Sequence, residues 1–248
     1  MRLTDAERAE NIEALARMNL PQRLDHIFEY YKFPLVLILI AVVAVGSVLY
    51  YRLTRKEALL YVAYANVSVG ETLDSVLIED YPRAIGADPR KCEVKLYRNL
   101  YLSQDATVQN HEYAYASQMK VMAAMSNGQL DVVLMNREAY DIMSKGGYLL
   151  PLDDFLKGDL FRRAADNLIK NSVILSDNAI EHRLDESVPY QAETEEVANA
   201  ILISAFPRFV RAEFSGDVYL GIIGNSERTE AVLQYIDYLT SAPPDSAA

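Results

Sequence analysis

The hydrophobic pattern of this chain changes period several times, and each change marks an element. From Phe33 to Tyr51 it reads FPLVLILIAVVAVGSVLYY, nineteen residues without a charge. As a helix this run would extend about 28 Å, close to the roughly 30 Å of a bilayer's hydrocarbon core. Tyr30-Tyr31-Lys32 precede it and Tyr50-Tyr51-Arg52 follow, an aromatic pair and a cation at each end, as at membrane interfaces. The pattern predicts one transmembrane helix over 33–51, a tail over 1–32 and a juxtamembrane connector over 52–58. The thirty-two residues before the run are too many for the leading region of a cleavable signal peptide. In the tail, Thr4 and Glu7 have capping-box spacing, and Leu3, Ala6, Ile12 and Leu15 recur near helical period. Pro21 breaks that run, and Leu24, Ile27, Phe28 and Tyr31 make a second apolar face.

Beyond the connector the period alternates between strand and helix. Leu59 to Val67 is rich in β-branched and aromatic residues and reads as a buried strand. Ser68 and Glu71 again have capping-box spacing, and Leu73, Val76 and Leu77 form a helix face that ends near Pro82. Cys92 to Ser103 alternates as a second strand. A helix follows over Tyr113–Ser126 with Met119, Met122 and Met125 among its apolar positions and Gly128 as its stop. Leu130 to Met135 is a short buried strand, Asn136 caps a helix through Lys145, and Gly146-Gly147 ends it. Ser172 to Leu175 reads as a strand and Glu195 to Phe206 as a helix. Asp217 to Ile223 is a last buried strand, and Thr229 to Leu239 a last helix. Strand–helix alternation of this kind predicts an α/β domain over 59–240 with a mainly parallel sheet. SAPPDSAA, residues 241–248, reads as a disordered end.

Charge narrows the choice of partners. Residues 1–33 carry five basic and six acidic side chains, so of the 24 basic and 35 acidic in the chain, 19 and 29 fall in residues 52–248. An acidic domain without a Lys/Arg stripe repels phosphate backbones, which argues against nucleic acid. Cys92 is the only cysteine, and His26, His111 and His182 are scattered, so neither an intrachain disulfide nor a zinc spacing is available. The chain also lacks a Gly-x-Ser-x-Gly elbow and a glycine-rich phosphate loop. The adjacent carboxylates Asp153-Asp154 and Asp185-Glu186 send their side chains apart and read as charged loops. No catalytic role and no cofactor are expected.

Ser117 to Leu156, SQMKVMAAMSNGQLDVVLMNREAYDIMSKGGYLLPLDDFL, resembles part of the type II periplasmic-binding-protein fold, that of the solute-binding subunits of bacterial ABC importers. Those subunits carry a helix, a glycine, a short Asp-containing strand, a second helix and a G-x-L-x-P-L-D-x-x-L segment; here the last is Gly147 to Leu156, with Leu149 and Leu150 before the proline. YLGIIGNSERTEAVLQYIDYL is similar to the late strand and helix by which such proteins return to their first lobe. The two matches lie only about 60 residues apart, so the second lobe must be small or missing, and the usual lipobox cysteine is absent. The charges flanking 33–51 are nearly balanced, so orientation follows from the resemblance alone. It implies an N-terminus in the cytoplasm and residues 52–248 outside, with the lipid bilayer and ABC transporter subunits as partners.

In open parallel sheets, ligands sit at the carboxyl ends of strands, beside helix N-termini. That rule selects Asn66 and Ser68 after the first strand, Tyr97 and Asn99 near the second, Asn136 and Arg137 after the third, and Asn225 and Ser226 after the last. Ser68, Asn136 and Ser226 are equally good helix caps, and Arg137 suits an anionic ligand. Two functions follow. One is a module that captures or senses a small solute, its ligand unknown. The other is a non-catalytic interaction or scaffold subunit that keeps the fold without ligand binding.

Overall fold

The computed structural model describes residues 20–54, 56–105, 110–185, 187–209, 214 and 216–241. The chain divides into two units, residues 1–55 and 56–248. The expected helices of residues 1–19 and the disordered end over 242–248 lie outside the described residues.

In the first unit, α1 (Leu20–Thr54) is one helix of 35 residues. Pro21 stands in its first turn, where a missing N–H costs nothing, so it begins the helix instead of breaking it. The connector expected over 52–58 is correspondingly short: the helix runs to Thr54 and the first strand starts at Glu57. The transmembrane expectation for 33–51 is corrected. Among the described residues, no helix is long and apolar enough to cross a membrane. The single-pass topology, the cytoplasmic N-terminus and the extracellular placement of residues 52–248 rested on that span and fall with it. The described large apolar side chains of this helix are all more than half exposed, from Val36 at 53% to Phe33 at 77%.

The second unit is an α/β domain around one sheet. Its strands are β1 (Glu57–Ala65), β2 (Cys92–Leu100), β3 (Val132–Met135), β4 (Leu168–Asp177), β5 (Ala192–Leu202) and β6 (Tyr219–Ile222), in the order β2-β1-β3-β6-β5-β4. The helices are α2 (71–84), whose middle, Ser75–Asp80, has π geometry, then α3 (His111–Ser126), α4 (Arg137–Lys145), α5 (Gly158–Ala164), α6 (Ala179–Leu184) and α7 (Thr229–Thr240). The central strands are covered on both faces, which explains their near-continuous apolar sequences. Leu60, Val62 and Tyr64 of β1 face one core with Leu77, Tyr81, Tyr235 and Ile236. Ala63 and Ala65 face the other, with Val121, Met125, Tyr140 and Met143.

The sheet is mixed, which corrects the mainly parallel expectation. β1 is parallel to β2 and β3, while β3–β6, β6–β5 and β5–β4 are antiparallel. The helix expected over Glu195–Phe206 is also corrected: it is strand β5 followed by a 3-10 turn, Ile203–Ala205. Its Ala- and Glu-rich composition favours helix in isolation, but pairing on both sides, to β4 and to β6, overrides that local preference. As a result the insertion between β3 and β6 joins the same sheet as a long hairpin.

Candidate functional site

The eight side chains selected by the strand-end rule divide between opposite ends of the sheet. Antiparallel pairing sets Tyr219 beside Met135 and Ile222 beside Val132. The carboxyl end of β6 therefore lies at the amino end of β3, and Asn225 and Ser226 are separated from the other six by the strand's length.

At the carboxyl end of β1–β3 the polar groups are engaged with the chain itself. Asn66 takes left-handed backbone geometry, φ 58°. Its Nδ2 donates to the Leu102 carbonyl at 2.7 Å, and its Oδ1 accepts the Leu102 N–H at 2.7 Å. The side chain thus continues the β1–β2 ladder past its last backbone pair. Asn136 caps α4 as expected, Oδ1 accepting the Ala139 N–H at 2.9 Å. Ser68 is exposed and does not cap α2, whose first-turn bond runs from the Asp74 N–H to the Gly70 carbonyl. Asn99, with φ 57°, presents its carbonyl to the Tyr113 hydroxyl. Tyr97 is half-buried with the Lys120 ammonium 5.6 Å from its ring centre, and burial raises its pKa. Arg137 pairs through Nε with Asp141 at 3.0 Å and lies over the rings of Tyr140 and Tyr219. Partial burial opposes its charge, but bonds to Tyr219 and Asp141 outweigh that and raise its pKa.

At the other end a buried carboxylate holds three segments together. Asp131, 1% exposed, accepts the Tyr61 N–H at 2.9 Å on Oδ2 and the Ser226 hydroxyl at 2.7 Å on Oδ1. Arg228 completes the node, its Nη1 3.5 Å from Oδ1 and 2.8 Å from the Gly128 carbonyl. Asn225 donates to the Met125 carbonyl at 2.9 Å. Asn225 and Ser226 are therefore fold staples. Asp131, noticed in the sequence only as part of a strand motif, is their centre.

A cleft of about 810 Å³ runs between β4 and the end of α4, with Gln104 and Gln118 among its lining. Sequence reasoning missed it, because reading Glu195–Phe206 as helix hid the β4–β5 hairpin. The signal available was β5 itself: through Val197, Asn199 and Ile201 on one phase it alternates like a strand.

Below this cleft, α4 is tied to the hairpin by buried polar groups. The Tyr140 hydroxyl donates to Asn199 Oδ1 at 2.8 Å, and Asn199 Nδ2 donates to the Ser144 hydroxyl at 2.8 Å. Tyr140, Ser144 and Asn199 are each fully buried. Burial raises the Tyr140 pKa far enough to keep the phenol a neutral donor. Tyr140 also stacks on Tyr219, ring centres 5.0 Å apart. Every member is satisfied, so the network fixes the hairpin against the helix. Among the described residues, no cluster of three His, Cys, Asp or Glu could hold a metal ion.

Comparisons with protein-family profiles, with curated proteins and with solved structures returned no match.

Proposed function

We propose that the α/β domain is a non-catalytic interaction module, a scaffold subunit that holds a partner protein and does not enclose a small solute. The observation that carries this reading is that all six strands belong to one sheet. A solute-binding protein closes two lobes over its ligand; here the segment that would build a second lobe adds β4 and β5 to the first. The strand-end side chains support the same reading. Asn66 and Asn136 are engaged with backbone groups, and Arg137 is paired with Asp141.

A thermal-shift screen of the full chain against amino acids, sugars and inorganic anions tests the proposal. The melting midpoint is expected to stay within about 1 °C of the unliganded value, whereas a solute at a hundred times its Kd would raise it by roughly 5–10 °C. A shift of that size, lost in Arg137→Ala, would favour solute capture and overturn the scaffold reading.

A further inference from the structure

β4 is an edge strand of the sheet. At Ser172, α4 and a neighbouring amide satisfy the outward backbone groups. The Ser144 hydroxyl donates to the Ser172 carbonyl at 3.2 Å. The Ser172 N–H donates to Asn171 Oδ1 at 2.8 Å. Ser172 therefore turns its backbone polar groups away from β5. By the strand's period of two, Ile174 is the next residue to do so. The helix that covers Ser172 stops short of it: α4 ends at Lys145, and Gly147, at φ 68°, turns the chain away. Beside Ile174 lies the cleft instead, bounded across from β4 by Gln118, Lys145 and Tyr148. A register shift between Ile174 and Ser176 limits the free template to a few residues.

The chemistry around this edge is one-sided. Residues 168–202 carry two cationic and seven anionic side chains, a net of 2 − 7 = −5. Within the hairpin, Glu196 accepts from the Ser172 hydroxyl at 2.5 Å and Glu193 from the Ser176 hydroxyl at 3.3 Å. Among the described residues, the ion pairs include none of Glu193, Glu195 and Glu196. Lys145, which lines the cleft across from β4, offsets only part of this negative charge.

We infer that the second half of β4, residues 173–177, takes up an extended, basic segment of a partner protein as an added strand. The inference rests on the interaction-module reading and names its partner's chemistry. The Ile174 backbone supplies the pairing bonds, and the acidic side chains of the hairpin, Glu193 and Glu196 among them, select cations on the segment. A second copy of this chain fits poorly, because it would bring two hairpins of net −5 together.

The test uses the full chain and a capped ten-residue peptide of alternating lysine and valine, with two controls: a glutamate–valine peptide, and the lysine–valine peptide N-methylated throughout. Calorimetry should show binding of the lysine–valine peptide that weakens with salt, no binding of the acidic peptide, and at least about tenfold weaker binding once the backbone donors are methylated. Ile174→Pro should cause a similar loss with the melting midpoint retained, since an edge strand tolerates proline where its N–H points outward. Should that variant misfold, Glu193→Gln with Glu196→Gln keeps the backbone and should weaken the peptide about fivefold. Absence of binding would overturn the inference, as would equal binding of the methylated peptide, which would reduce the effect to charge. Sedimentation showing a dimer that Ile174→Pro dissociates would overturn it in favour of a second copy. These failures leave the scaffold reading standing; only a solute that raises the melting midpoint removes that.

Discussion

The two ends of β3 lie four strand residues apart and are built on opposite principles. At the amino end, Asp131 is a buried charge that receives a backbone N–H from β1 and a hydroxyl and a guanidinium from the loop after β6. At the carboxyl end, Asn136 and its neighbour Asn66 are neutral amides that complete backbone ladders locally. A buried carboxylate is tolerable only while every partner is present, so the charged end should fail steeply when any one is removed. The amide end should fail in small, separable steps. It follows that polar residues at strand ends are weak evidence for a ligand. Both ends are rich in them, and both use them to hold the sheet.

The largest expected effect is at the charged end. Asp131→Ala strands the Tyr61 N–H and leaves Arg228 without its carboxylate, and should cost about 3–4 kcal/mol in urea unfolding. Asp131→Asn keeps an acceptor and should cost less than Asp131→Ala. Equal costs for the two would mean that charge contributes nothing at this node, and the contrast between the two ends would disappear.

The amide end should show an intermediate effect. Asn66→Ala loses both bonds to Leu102 and places a Cβ-bearing residue without a polar side chain in left-handed geometry. Together these should cost about 2–3 kcal/mol. Asn66→Gly loses the same bonds without the backbone strain and should cost about 1 kcal/mol less. If glycine proves no better than alanine, φ at this position is not a source of strain, and the bonds to Leu102 alone account for the loss.

Much of the domain was legible in the sequence. Strands β1, β3 and β6 declared themselves by apolar runs, because burial on both faces demands them; β2, at the sheet edge, was read from its alternation, and the Asn136 cap was readable from its place before α4. Strand direction was not readable. Nothing in Val218–Ile223 distinguishes parallel from antiparallel pairing, and that one ambiguity sent Asn225 and Ser226 to the wrong end of the sheet. β5 was misread for a different reason: its helix-favouring residues are held extended by neighbours on both sides. Phe33–Tyr51 was read from an uncharged run of bilayer length and from its aromatic and cationic flanks. That reading gave the helix, but among the described residues no helix is long and apolar enough to cross a membrane. The cleft beside β4 was missed with β5, since it exists only once the hairpin does.

The smallest effect is expected at Arg137, the residue most readily taken for an anion ligand. Its guanidinium lies beside Asp141 and over two aromatic rings, but its side chain is 57% exposed and that of Asp141 35%. An ion pair so open to water is screened by solvent and salt, and the ring contacts, at 5.6 and 5.9 Å to the centroids, are near the limit of useful attraction. Arg137→Ala should therefore change unfolding free energy by no more than about 0.5 kcal/mol. Titration with inorganic phosphate should look the same for variant and parent. A cation held for a ligand behaves differently: it is desolvated, its removal weakens the anion strongly, and the empty site often gains stability when the charge goes. Phosphate binding by the parent that Arg137→Ala abolishes would return this end of the sheet to a ligand role. It would also make the neutral amides around Arg137 the walls of a site instead of the last bonds of a ladder.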